Sequence, residues 1–247
     1  MDNIIKKIEE LMINMWPLSD QKKFDGWTLN LSMNHTFKAN AIFPLNIGMI
    51  GINEKIQKCE NYYKERRFDF SFRITPFSRP DFLDKILELK GYKKTNLTNV
   101  LILDLLSIDV KKNNEYILKH DNTDDWLQVH QDIAKYSKAQ KNIYKNFHKN
   151  IKKPKCMFSI KKSDKSISCG LGILRKDLFG IFDIKTNTQF QKKGFGSSLI
   201  QAMLFWAKNN GARCAQVSVD YDNEIAHALY SKLGFQKLYH YWFRIQK

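Results

Sequence analysis

The sequence predicts an α/β (α+β) chain in two successive halves, each with helices set around a sheet. Three observations lead there. The 247 residues include 43% hydrophobic and 13% aromatic side chains, enough for a substantial core and too many for a disordered chain. Segments with apolar residues at helical spacing alternate with segments of period two. The order helix, strand, helix ending in Gly-Tyr or Gly-Phe, strand then recurs. Leu87 to Tyr92 parallels Leu229 to Phe235, as in a duplicated unit.

In the first half, residues 3–15 place Ile4, Ile5, Ile8, Leu11, Met12 and Met15 on one helical face. Trp16-Pro17 ends that helix, because the residue before proline is driven out of the helical region. Strands are expected at 27–31 and 39–43, joined through Asn34-His35, and a helix at 51–66 with Ile52, Ile56, Cys59 and Tyr63 on one side. Residues 68–74 alternate strictly and predict a strand. Arg79-Pro80 introduces a helix that ends at Gly91, and 95–105 is a further strand. Lys111-Lys112-Asn113-Asn114 has no pattern and marks the expected boundary between a domain of residues 1–110 and one of residues 111–247.

The second half reads β-α-α-β-β-β-α-β-α-β. A short strand at 115–118 precedes Asp121 to Asp125, whose capping and acidic side chains suit a helix start at about Trp126. Helices at 126–136 and 139–149 are followed by Pro154 and strands at 156–160, 167–174 and 179–185. An amphipathic helix, a strand at 214–219, a helix at 224–233 and a strand at 239–245 complete the pattern.

Charge is uneven. The net +16 divides into 16 basic and 14 acidic residues over 1–110, and 25 and 11 over 111–247. Eleven lysines and one acid, Asp164, lie between Lys135 and Lys165. That run fits an anionic partner, a nucleotide cofactor, an acidic substrate or nucleic acid, and it fits equally a chain rich in Lys, Asn and Ile throughout. It lacks the interleaved Arg, glycine and aromatic pattern of RNA-binding modules, so nucleic acid is not favoured. No apolar run reaches membrane-span length and residues 1–7 have no leader-like apolar core, so a cytoplasmic protein with no membrane partner is expected. Cys59, Cys156, Cys169 and Cys214 are far apart, which suits buried thiols and neither a metal site nor disulfides.

The chemistry concentrates between Gln191 and Phe235. Gln191-Lys192-Lys193-Gly194-Phe195-Gly196 is a glycine-punctuated loop before a helix, whose free N–H groups and dipole make a phosphate site, with two lysines adding charge. Asn223, Ala226, Leu229, Tyr230, Gly234 and Phe235 follow at fixed spacing on a second helix. Together the pattern Q-x-x-G-x-G, helix, strand, N-x-x-A-x-x-L-Y-x-x-x-G-F resembles the GNAT superfamily of N-acetyltransferases over about residues 115–247. Gln191 stands where many members carry arginine. Gly180 to Ile184, the ending Tyr239 to Arg244, Gly26-Trp27 and Ala39 to Leu45 look like a bacterial two-domain branch with a degenerate first copy. The first half has no Q-x-x-G-x-G.

The resemblance implies a tandem GNAT-like fold with mixed, mostly antiparallel sheets and a complete C-terminal copy. It implies acetyl-CoA as cofactor and an amine acceptor, with no metal. The cofactor would be held by Ile184, Lys185, Thr186, Gln191, Lys192, Lys193, Gly194, Phe195, Gly196, Ser197, Asn223, Ala226 and Tyr230. Tyr230 would donate a proton to the departing sulfur. Asp183 is a candidate catalytic base, acting directly or through water, and Asp220, Asp222 and Glu224 at the acceptor side would attract a cationic amine, each being equally a solvated or capping residue. His227 lies one turn before Tyr230 and fits a packed face as well. Two other functions stay open: a CoA-binding sensor or interaction protein without turnover, and an acetyltransferase acting on a nucleic-acid-associated substrate. The acceptor is a small-molecule or peptide amine, and the protein a monomer or homodimer.

Overall fold

The computed structural model describes residues 2–13, 20–32, 37–110, 117–149, 151, 154–163 and 165–246. Met15, Trp16-Pro17, Asn34-His35, Lys111 to Asn114 and Asp164 lie outside them. In the first half the described elements are α1 (Asp2–Ile13), β1 (Asp20–Phe24), β2 (Trp27–Leu31), β3 (Ala41–Phe43), α2 (Ile52–Lys64), β4 (Ser71–Ile74), α3 (Leu83–Leu89) and β5 (Lys93–Asp104). In the second they are β6 (Ile117–His120), α4 (Thr123–Ala134), α5 (Lys138–Lys149), β7 (Lys155–Lys162), β8 (Lys165–Arg175), β9 (Leu178–Thr186), α6 (Phe195–Asn209), β10 (Cys214–Asp220), α7 (Glu224–Lys232) and β11 (Gln236–Ile245).

Local chemistry sets most boundaries. Asn122 caps α4 by accepting from the Asp124 amide at 2.9 Å, so the helix starts ahead of Trp126 and also stops earlier than expected. The parallel between the halves is structural. Tyr92 N–H donates to Leu87 O at 2.9 Å and Phe235 N–H to Tyr230 O at 3.0 Å, the same helix-ending bond in α3 and α7. Strand β1 carries no clear alternation and was not expected from the sequence; it pairs with β2 through a tight turn at Asp25-Gly26. Residues 68–70 precede β4 and are not part of it.

The strands make one sheet in the order β1-β2-β3-β4-β11-β5-β10-β9-β8-β7-β6. The halves are therefore interleaved. Strand β11, the last of the chain, lies between β4 and β5 and is antiparallel to both. Strand β5, from the first half, lies between β11 and β10. On one face α6 and α7 cover Leu101, Leu103, Phe179, Ile181, Ala215 and Val217. On the other, α4 covers Cys169, Leu171 and Ile173 with Trp126, and Ile8 of α1 joins the same cluster. The aromatic core around Trp27, Tyr63, Phe72 and Tyr92 fills the first half beneath α2 and α3.

Buried polar side chains tie these parts together. Glu9 of α1 accepts from Arg73 Nη2 at 2.8 Å and from the Tyr239 hydroxyl, and the Arg73 guanidinium lies 3.6 Å from the Tyr241 ring centre. Helix α1 is thereby anchored to both β4 and β11. The expected Gly-Trp and Ala-Asn-x-x-x-Pro-Leu elements have structural roles. Trp27 Nε1 donates to Arg79 O at 3.0 Å, and buried Asn40 bridges the Ser32 amide and Asp69 O at 2.7 and 3.0 Å. No described helix is long and apolar enough to cross a membrane.

Arg244 of β11 is the clearest single tie between the halves. Its Nε and Nη2 donate to the two Asp84 oxygens at 2.7 and 3.0 Å, and its Nη1 to Tyr92 O at 3.1 Å. Trp242 Nε1 donates to the same carboxylate at 2.8 Å. Arg244→Met leaves Asp84 without its main partner. It is expected to destabilise the protein by about 2 kcal/mol in urea unfolding, below the value for a fully buried pair because Asp84 retains 32% side-chain exposure.

Candidate active site

The loop ahead of α6 is shaped to receive an anion. Residues 188–190 form a single 3-10 turn, started by Asn187 accepting from the Gln189 amide at 3.2 Å. Gln191 Nε2 reaches back to Thr186 O at 3.4 Å. Gly194 takes φ 86° at the N-cap of α6, a conformation costly for any residue with a Cβ, and nothing lies within 4 Å of where that Cβ would sit. No side chain caps the helix. Its first turn bond is Ser198 N–H to Gly194 O at 3.0 Å, so the amides of Phe195, Gly196 and Ser197 have no intrahelical acceptor. Lys192 and Lys193 are exposed beside them. Phe195 packs edge-on to Phe190 at 6.0 Å, fixing the loop to the helix.

Strands β9 and β10 run parallel in register from Leu178/Cys214 to Ile181/Val217, and there the pairing stops. Strand β9 continues to Thr186, and β10 continues to Asp220 on the arm of β5. From Phe182 onward, then, the edge of β9 that faces β10 has no ladder partner. The opposite edge stays paired to β8 but is bulged: Leu171 opposes Phe182, and Cys169 opposes Lys185. Asp183 sits in the bulge at φ 50°, a strained value for a residue other than glycine. Gly170 makes the bulge possible, since a Cβ there would approach Ile184 Cδ1 to 2.4 Å.

Helix α7 places Tyr230 in the same core cluster as Ile181, Val217 and Val219. The ring is buried against Phe235 at 5.3 Å, and burial pushes the phenol pKa up, so it is fully protonated at neutral pH. Asn223 caps α7 by accepting from the Ala226 amide at 3.0 Å, so two residues expected at the cofactor are joined in a cap. Among the other acids, Asp220 Oδ1 accepts from Thr98 Oγ1 at 3.4 Å, while Asp222 and Glu224 are exposed. His227 Nε2 lies 3.4 Å from Asn99 Nδ2 on a half-buried face. Half-buried Cys214 has its thiol pKa raised by burial, which disfavours a nucleophilic role.

A family profile described as "Probable histone acetyltransferase Rv0428c C-terminal" matches residues 3–244. The chain belongs to that acetyltransferase family. It is 26% identical over 249 residues to an uncharacterized N-acetyltransferase, YobR, of Bacillus subtilis (strain 168), covering 98% of this chain and 99% of that protein. A GCN5-related N-acetyltransferase from Kribbella flavida superposes over 100% of this chain and 96% of its own, with TM-score 0.73 at 11% identity. A tandem GNAT protein from the clavulanic acid biosynthesis pathway covers 89% of this chain and 78% of its own, with TM-score 0.66 at 10% identity. The fold is that of the GNAT N-acetyltransferases, in tandem form.

On the α4 face of this GNAT sheet the structure gathers residues that the sequence reading did not single out. Trp126 and His130, one helical turn apart, stack at 5.0 Å, and Trp126 Nε1 donates to Phe158 O at 3.1 Å. His130 Nδ1 lies 2.9 Å from the Tyr136 hydroxyl. Tyr136 stacks on Tyr144 at 5.1 Å and 25°. Burial, with help from Lys185, pulls the His130 pKa down to about 4, so the ring is neutral near neutral pH. Three acceptor-capable atoms of this region are buried without a hydrogen-bond partner: Asp183 Oδ2, His130 Nε2 and Gln216 Oε1. Gln216 lies in register with Gly180. The helical i, i+4 spacing of Trp126 and His130 was the one local signal; the two tyrosines and Gln216 carried none.

Burial raises the Asp183 pKa, with Lys185 opposing. The folded state thus holds that proton more tightly than the unfolded chain, and stability falls as pH rises from the unfolded carboxylate pKa through the raised one. Asp183→Asn removes the charge and tolerates the same backbone conformation. It is expected to raise the melting temperature by about 2 °C or more near neutral pH, a gain that shrinks on acidification, as followed by thermal melts across pH.

Proposed function

We propose that this GNAT protein transfers the acetyl group of acetyl-CoA directly to a primary amine within a ternary complex. Residues 111–247 supply the cofactor site, and residues 1–110 form a degenerate copy without a second cradle. The observation that carries this reading is the parting of β9 from β10 after Ile181/Val217, beside a bulge that holds an unpartnered Asp183 carboxylate oxygen.

The residues present fit the cofactor. The uncapped amides of Phe195, Gly196 and Ser197, with Lys192 and Lys193, suit a pyrophosphate. The free edge of Ile184, Lys185 and Thr186 suits the amide-bearing pantetheine arm, which can extend the sheet as a short pseudo-strand. Gln191 and Asn223 hold the two ends of the site by bonding to Thr186 O and the Ala226 amide. Bound acetyl-CoA supplies an activated thioester carbonyl in the gap. Asp183, with its raised pKa, accepts a proton from the acceptor ammonium and leaves a neutral nucleophilic amine. As the C–N bond forms and the C–S bond breaks, Tyr230 would give its proton to the sulfur, and the proton that the nitrogen sheds on becoming an amide would restore the phenol, whose burial-raised pKa favours the protonated form.

Two substitutions test the roles by thiol release from acetyl-CoA with a responsive amine. Tyr230→Phe is expected to lower kcat about a hundredfold while leaving the KM for acetyl-CoA within about threefold. Asp183→Asn is expected to lower kcat/KM by a similar factor and to abolish the acidic limb of its pH profile. Unchanged turnover in the first removes Tyr230 from the mechanism, and a retained acidic limb in the second removes Asp183.

A further inference from the structure

The α4–α5 corner packs over β8 and β9 and gathers the rings of Trp126, His130, Tyr136 and Tyr144. Lys135 ends α4 with φ 58°, and this left-handed residue folds Tyr136 back under the helix. The Tyr136 hydroxyl donates to Leu127 O at 3.4 Å, which leaves its oxygen to accept from His130 Nδ1–H at 2.9 Å. That relay puts a bare lone pair on His130 Nε2, an atom buried without a partner. Tyr144 lies against both, 5.1 Å from His130 at 62° and 5.1 Å from Tyr136 at 25°. Both tyrosines are half-buried, so part of each ring surface is open.

We infer that the stacked rings of Tyr136 and Tyr144, in the helix layer packed over β8 and the bulged β9, form the acceptor's recognition site and select a primary monoamine carried on an apolar, ring-bearing stem. This rests on the N-acetyltransferase reading and names its substrate class. An ammonium is all donor, and this corner presents unmet acceptors, Asp183 Oδ2 and His130 Nε2, beside aromatic faces that attract a cation. Burial is the main cause that raises the Tyr136 and Tyr144 pKa values, and the Asp183 carboxylate adds to it at both. His130 is neutral and does not repel a cation.

The surroundings limit the ligand to one charge. Lys185 lies beside Asp183, and α5 carries Lys138, Lys141, Lys145 and Lys149. Of these, Lys145 is paired to Asp124 at 2.7 Å and Lys141 to Gln128 at 2.6 Å. Asp132, the other acid that acts on Tyr136, already accepts from Gln128 and Ser166, so Asp183 is left to balance one ammonium and a second cationic group on the ligand would meet lysines. The rest of the ligand meets the open ring surfaces of Tyr136 and Tyr144, which favours an apolar stem over a sugar or a peptide backbone.

Direct binding to the CoA-loaded full-length protein tests the inference apart from turnover. Isothermal titration should show phenethylamine binding about tenfold or more tightly than spermidine. Tyr144→Leu should weaken phenethylamine about tenfold, Tyr144→Phe should recover most of that loss, and Asp183→Asn should weaken it at least as much as Tyr144→Leu. Spermidine binding as tightly as phenethylamine, or Tyr144→Leu leaving phenethylamine unaffected, overturns the inference. The wild-type ranking stands without any variant, so a Tyr144 variant that fails to fold does not remove the test. If phenethylamine binds as expected but no thiol is released from acetyl-CoA, the inference holds and the transferase mechanism falls. If thiol is released with other amines while phenethylamine neither binds nor reacts, the mechanism holds and the inference falls.

Discussion

Everything in this molecule depends on β11 being hydrogen-bonded on both of its edges. The strand ends the second half of the chain, yet it fills the space between β4 and β5 of the first. Without it, β4 and β5 have no common partner, and β5 reaches the second half only through β10. The Arg244–Asp84 pair and the Glu9–Arg73–Tyr239 cluster reinforce that seam with charge-assisted hydrogen bonds. The first half can thus be indispensable to the sheet of the second. It supplies β5, which carries β10 away from β9, and α1, which closes the sheet face next to α4.

That geometry puts strain and unmet polarity in one place. Protein interiors rarely leave buried acceptors unsatisfied, because each costs on the order of 1–3 kcal/mol. Here Asp183 combines a positive φ, a raised pKa and an unpartnered oxygen, and His130 and Gln216 add unpartnered atoms of their own on the same face. Strain and unpaired polar groups gathered beside a break in strand pairing belong to a site shaped for a ligand. The uncapped start of α6 follows the end of β9, to which Gln191 bonds at Thr186 O. Its requirements are simpler, since a glycine N-cap and free amides serve any phosphate.

Legibility in the sequence followed the range of the interactions. The helices and most strands were readable because their periodicities are local, and their ends moved by a few residues where a cap such as Asn122 decided. The Gly194 loop and Tyr230 were readable as a pair because each lies within one helix and the spacing between them spans one helix and one strand. Strand β1 was missed because its lysines and lack of alternation resemble a loop until β2 pairs with it. Ala39 to Leu45 and Gly26-Trp27 were visible as elements, but only Trp27 bonding to Arg79 and Asn40 bonding to Ser32 and Asp69 show that they hold the first half together.

By itself the sequence determined the order of elements, the duplicated pattern, the glycine loop ahead of α6 and the tyrosine carried on α7, because these are written in contiguous residues and short periods. Tertiary structure alone decided that the two halves share one sheet, with β5 and β11 exchanged across the middle. It also decided that Asp183 lies in a bulge of β9 with one carboxylate oxygen unpartnered. Those outcomes rest on contacts between residues far apart in the chain, such as Arg244 with Asp84 or Tyr239 with Glu9, and no local pattern encodes a partner at that separation.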